Sequence, residues 1–136
     1  DDLQDIVDLA HQYGLTVDAY IGHPDDLHTF GIAARTPEEV ASVAKRMEDI
    51  GVDMIGLMTG MSYEGVAAGD IPQAIKDRLK ALVGAVSVPT LAEGGINVAN
   101  AKAFKDTGVN ILVVGTAIDN MVCNAAKQAV TPFITH

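Results

Sequence analysis

Leu91-Ala92-Glu93-Gly94-Gly95-Ile96 and, one unit of the pattern later, Ile111-Leu112-Val113-Val114-Gly115-Thr116-Ala117-Ile118 decide how this chain is read. Each is an apolar run of strand length that stops in small residues and passes at once into a helix-like stretch. Such a turn sets backbone N–H groups and a helix N-terminus at the mouth of a parallel sheet, the geometry that binds anions. In (β/α)8 barrels the loops after the last two strands form a phosphate site. Gly94 and Gly95 would let the backbone approach a phosphate with no Cβ in the way, while Gly115 and Thr116 would add an N–H and a hydroxyl. Glycine after a buried strand can also serve only to turn the chain. Two such turns, one βα unit apart and in barrel order, favour the phosphate reading.

Working back toward the N-terminus, apolar runs of strand length alternate with amphipathic segments of helix length, the pattern of a parallel sheet. A helix over Asp2–Tyr13 is stopped by Gly14, and a strand over Leu15–Ile21 leads into a long loop, Gly22–Arg35. Thr36 is an N-cap with Pro37 at the first helical position and Glu38 and Glu39 in the first turn; Gly51 ends that helix. The next strand is Val52–Met58, and the glycine-rich Thr59–Gly69 reads as a flexible loop. A helix from Asp70, its N-cap, to about Val83 follows. Then come strand Pro89–Ala92, helix Val98–Thr107 closed by Gly108, strand Asn110–Val114, and a last helix from about Asp119. The fold class is α/β, half of a (β/α)8 TIM barrel with four parallel βα units. A whole barrel takes about 250 residues, against 136 here. A half-barrel has uncovered sheet edges and an open apolar interior, so a second half-barrel or self-association is expected to cover them.

At 49% apolar and with no run of bilayer length, residues 1–136 read as a single domain with material for a core and no membrane partner. The first residues carry neither a basic segment nor an apolar one, so export is not expected. The lone Cys123, beside Met121 and Val122, reads as a packed helical position in a reducing cytoplasm. A formal charge of −9 excludes the basic patch a nucleic acid backbone needs.

The stretch Glu48–Gly60, then Gly69-Asp70-Ile71, Glu93-Gly94-Gly95-Ile96-Asn97 and Val113–Ile118, resembles the C-terminal half of the orotidine monophosphate decarboxylase superfamily. The branch most similar is that of the hexulose-6-phosphate synthases and 3-keto-L-gulonate-6-phosphate decarboxylases. The resemblance implies a barrel that binds a sugar phosphate, with Gly94, Gly95, Gly115 and Thr116 as its phosphate grip and Asp18 as an acidic residue at the end of the fifth strand. It also implies aldol or decarboxylase chemistry through an enediolate, with Mg2+ held by an Asp-x-Lys-x-x-Asp motif in an N-terminal half absent from this sequence. The family commonly has His after its sixth strand, where this chain has Met58-Thr59-Gly60.

Among residues that carry chemistry, Asp18 lies between apolar neighbours, where an ionised carboxylate is costly unless a site uses it. Glu93, just before Gly94, points toward the barrel mouth as an acid or base, or else caps the next helix. These two are the catalytic candidates, and no metal ligands are assigned. His23 and His28, with Asp25 and Asp26 between them, lack a recognised ligand spacing and read as solvated. Tyr63 and Glu64 sit where barrel lids often lie. The expected function is a sugar-phosphate lyase, incomplete as this chain. The alternatives are a sugar-phosphate isomerase or epimerase using Asp18 and Glu93 for proton transfer, or a non-catalytic or engineered half-barrel that oligomerises.

Overall fold

The computed structural model describes residues 2–26, 30–61 and 69–135. His28, Tyr63 and Glu64 lie outside the described residues. Helix α1 (Asp2–Gln12) turns at Gly14, whose φ of 70° suits glycine, and leads into strand β1 (Asp18–Gly22). Strand β2 (Ile32–Ala33) follows, then helix α2 (Pro37–Asp49), strand β3 (Met54–Met58), helix α3 (Gln73–Ala85), strand β4 (Thr90–Glu93), helix α4 (Ala101–Lys105), strand β5 (Ile111–Val113) and helix α5 (Thr116–Ile134). All pairings are parallel, in the order β2-β1-β3-β4-β5.

The start of α2 follows from its residues. The Thr36 hydroxyl accepts the Glu39 N–H at 3.2 Å, and the Glu39 carboxylate reaches back to the N–H groups of Thr36 and Arg35. This is a capping box with Pro37 already shaped for the first turn. Elsewhere the boundaries move. Asp70 does not cap α3: Pro72 holds Ile71 out of the helical region, so the helix opens at Gln73 with Pro72 as its N-cap. The Asp70 carboxylate instead accepts the Ile71 N–H and pairs with Lys76 at 2.6 Å. The fourth helix is trimmed to five residues because Asn97 and Asn100 divert the chain before it into a hydrogen-bonded turn. The last helix begins at Thr116, three positions before Asp119.

Four strands were expected and five are present among the described residues, since the stretch Gly22–Arg35 contains β2. Ile32 and Ala33 pair with Ile21 and Gly22, and the Ala34 N–H donates to the Gly22 carbonyl at 2.9 Å. Ile32 and Ala33 therefore lie along the outer edge of β1, on the side away from β3. Gly31, at φ 102°, makes this possible, because a Cβ there would fall 2.0 Å from the Tyr20 carbonyl oxygen. Arg35 pairs with Asp25 across the loop, and the buried Arg78 guanidinium of α3 donates to the Ala34 carbonyl at 2.9 Å.

Alternation along the strands divides the sheet. Ile21, Ile55, Leu57 and Ala92 face the helices, packing with Val40, Ala44 and Met47 of α2, Leu79 and Leu82 of α3, and Phe104 of α4. The opposite, inner face takes Asp18, Tyr20 and Gly22 from β1, Met54, Gly56 and Met58 from β3, Leu91 and Glu93 from β4, and Ile111 and Val113 from β5. Helix α5 contributes no buried residue, and Ile118, Met121, Val122, Phe133 and Ile134 along it are exposed. Cys123 is accordingly exposed, not packed as its neighbours suggested, because none of the described residues covers that part of the helix. Among the described residues no helix is long and apolar enough to cross a membrane.

Candidate active site

Glu93 closes β4 at its C-terminal end, half-buried on the inner face and in register with Met58 of β3 and Val113 of β5. Directly after it, Gly94 and Gly95 take φ values of 114° and 68°, a conformation that costs a residue with a Cβ roughly 1–2 kcal/mol. The space their missing Cβ atoms leave is filled by protein. A Cβ on Gly94 would meet Thr59 Oγ1 at 2.5 Å, and one on Gly95 would meet Met61 Cβ at 2.7 Å and the Met61 carbonyl oxygen at 2.9 Å. The side of these glycines where a Cβ would stand is thus taken by Thr59 and Met61, which lets the start of the loop after β3 close on the turn after β4.

Thr59 and Asn100 hold that junction, and sequence reasoning passed over both. The Thr59 hydroxyl donates to the Gly94 carbonyl at 2.7 Å while its N–H donates to the Glu93 carbonyl at 2.8 Å. The wholly buried Asn100 amide donates to the Gly95 carbonyl at 2.9 Å and accepts the Asn97 N–H. The signal available was Asn97-x-x-Asn100 straight after a double glycine, since Asn side chains bond to nearby backbone in turns.

Gly115 and Thr116 end the adjacent strand differently. Gly115 is the N-cap of α5 at φ −116°, and a Cβ there would meet nothing within 4 Å. The first N–H groups of α5 have no partner within the helix and lie at the same end of the sheet as Glu93. Both halves of the expected phosphate grip therefore stand on neighbouring parallel strands, one closed by protein and one open.

Asp18 is the first residue of β1, not a mid-strand or strand-end position; just before it the Val17 carbonyl accepts the Met54 N–H of β3 at 3.1 Å. This puts Asp18 toward the opposite end of the inner face from Glu93. Tyr20 lies between them on the inner face, in register with Gly56 of β3. Partial burial is the main influence on Asp18 and raises its pKa above the ordinary aspartate value; the Tyr20 contact opposes this and the charge of Glu93 adds to it. The Tyr20 phenol is pushed upward too, first by burial and then by Glu93 and Asp18, so it stays protonated at neutral pH.

At the other end of the sheet, Asp53 accepts the Val17 N–H at 2.7 Å and meets His11 at 2.8 Å. His11 and the Val17 N–H hold its carboxyl below the usual range. That position, before β3 begins, is one that supports the fold. The loop cluster is likewise structural where described: Asp25 pairs with Arg35, and the His23 ring accepts the Asp25 N–H at 3.2 Å. Among the described residues no group of three or more His, Cys, Asp or Glu is placed to hold a metal ion.

Parallel strands in sequential barrel order beside their helices, with one β-edge addition, define the class: a partial TIM-barrel-like α/β fold. A solved structure agrees. The crystal structure of the HMG-CoA lyase from Brucella melitensis is similar over 81% of this chain, with a TM-score of 0.56 and 19% sequence identity. The chain spans 38% of that protein's length. At that identity the likeness is one of fold. No protein-family model matches the sequence, and no curated protein does.

Proposed function

We propose that this chain is the phosphate-gripping half of a (β/α)8-barrel enzyme acting on a phosphorylated sugar, a lyase of the hexulose-6-phosphate synthase or ketogulonate-6-phosphate decarboxylase kind within the superfamily its sequence resembles. One observation carries the reading: Glu93 and the N-terminus of α5 stand at the same end of neighbouring parallel strands, so a carboxyl that can move a proton lies beside N–H groups that can hold a phosphate. In this reading Gly115 and Thr116 take the phosphate, Gly94 and Gly95 shape the wall beside it, and Glu93 and Asp18 serve the carbon end. Mg2+ would be held by a first half bearing Asp-x-Lys-x-x-Asp. That half, or a second copy of this chain, would cover the β5 edge and α5.

The test uses the open turn. Calorimetric titration of the protein with inorganic phosphate should show binding that Gly115→Asp abolishes with little change in the melting temperature, since the new side chain enters space no protein atom fills. Unchanged phosphate affinity in Gly115→Asp, or none in the parent, overturns the site.

The placement of two carboxyls, Asp18 and Glu93, on the same inner face favours one second reading, isomerisation or epimerisation of a sugar phosphate, which needs carboxyls able to exchange a proton with adjacent carbons. Deuterium entering a ketose phosphate from solvent without carbon–carbon cleavage would select it over the lyase.

A further inference from the structure

We propose that α5 is an exchanged element: in a dimer of this chain, α5 of each copy lies in the groove that the other copy leaves open between α4 and β5. The layering of the sheet shows where the groove comes from. The helices that precede β3, β4 and β5 each fold back on the strands, α2 burying Val40, Ala44 and Met47, α3 burying Leu79 and Leu82, and α4 burying Phe104. The helix that follows β5 buries nothing. Where it would lie if it did the same, the helix layer has a groove lined by Ala101, Lys105 and Asp106 from α4 and its C-cap and by Val109, Asn110 and Leu112 leading into β5. Leu112 is in register with Ala92 and so faces the helices, yet it is only half-buried, whereas Ala92 and Leu57 on the strands before it are wholly buried.

Helix and groove match in polarity and in charge. Ile118, Val122, Ala126, Val130 and Phe133 recur at helical spacing and share one face of α5, all of it exposed. Asp119, three residues before Val122, borders that face. In the groove, Lys102 is paired with Asp106 at 2.7 Å, which leaves Lys105 as the charge without an ion pair among the described residues. Asp119 has none there either. A basic groove in a chain of formal charge −9 therefore meets an apolar helix edged by an acid. Within one chain only Val114 and Gly115 join β5 to α5, and this link carries the helix away from its own groove. Short hinges of this kind are where copies of a protein exchange identical elements. Reciprocal exchange covers both exposed surfaces of both copies and needs no other component.

The exchange is independent of the phosphate reading, and its test separates helix from groove. Val122→Asp with Val130→Asp spoils the helix face and leaves the groove; Ala101→Glu with Lys105→Glu spoils the groove and leaves the helix. None of the four residues is buried, so both variants should keep the cooperative melting of the parent. In sedimentation the parent should run at twice the mass of the chain, and each variant alone at the mass of the monomer. An equimolar mixture of the two variants should regain the doubled mass, because every mixed pair brings one intact helix to one intact groove. Lys105→Glu alone, a change at an exposed side chain, should weaken the parent's association in the same direction. A parent or a mixture that stays monomeric overturns the exchange. So does a groove variant that still dimerises by itself, which would mean that α5 pairs with α5. Titration of the same variants with inorganic phosphate reports separately on the Gly115 turn, so either reading can fail while the other stands.

Discussion

The turn after β4 and the turn after β5 look alike in sequence and differ in the folded chain. Gly94 and Gly95 have positive φ and backbone or side-chain atoms of the β3 loop pressed against them, and their carbonyls are engaged by Thr59 and Asn100. Gly115 has an ordinary negative φ and open space where its side chain would be, and the helix it starts buries nothing. Glycine does two kinds of work here. In the first turn it is demanded by the fold, so its presence says little about a ligand. In the second no described atom occupies the place of a side chain, and that space is open to a ligand.

The contrast is sharpest in a paired substitution. Gly95→Ala forces an L-residue into positive φ and drives its Cβ against Met61, which should cost about 2–4 kcal/mol in denaturant unfolding. If Gly95→Ala proves neutral, the β4 turn is not closed and the two turns are equivalent after all.

The uncovered side of the molecule provides the next test. Ile118, Met121, Val122 and Phe133 of α5 are each more than half exposed, more apolar surface than a monomer usually leaves bare. Sedimentation should show a dimer or larger species, and Phe133→Ser should shift it toward the monomer. A monomer at every concentration would mean that the β5 end needs no cover.

Ionisation separates the same two kinds of region. Glu39, Glu48, Asp53 and Asp70 accept backbone N–H groups or face a cation, and all are held below their usual range. Their contribution to stability is present above the ordinary carboxylate pKa of about 4 and is lost as pH falls through their depressed values. Asp18 has the opposite sign. Its raised value means that its contribution is full below the ordinary aspartate pKa and disappears as pH rises through the raised one. Asp18→Asn should therefore melt at or above the parent at pH 7, and that advantage should vanish in acid. A variant less stable than the parent at pH 7 would make Asp18 a structural carboxylate and remove it from the site.

How much of this could be read in advance depended on whether the cause was local. The N-cap at Thr36 and the chain reversals at Gly14, Gly51 and Gly108 depend on neighbours within a few residues, and each was legible. The strand order followed from the alternation of elements. The strand Ile32–Ala33 was not legible, because its partner is Ile21–Gly22 and the reason it can pair is a close pass of Gly31 over Tyr20. The packing of the Tyr20 ring was not legible for the same reason: it lies over Gly56, on another strand and brought alongside only by register. The packing against Gly94 and Gly95 was not legible either, because Thr59 and Met61 reach them from the end of another strand.

The smallest effect is the most discriminating. Gly115→Ala adds a methyl group that meets no atom within 4 Å. Alanine restricts the unfolded chain, which favours the folded state by about 0.4–1 kcal/mol where the native conformation suits it. The ψ of −88° at Gly115 lies well off the helical value, which takes back part of that gain. The two effects should leave unfolding within about 0.5 kcal/mol of the parent. A loss approaching that of Gly95→Ala would show that the β5 turn is also packed by protein, and the argument that its glycine waits for an anion would fall with it. If stability instead holds while phosphate binding weakens, Gly115 is serving a ligand and not the fold, since the added methyl group can then obstruct only something that is not part of the chain.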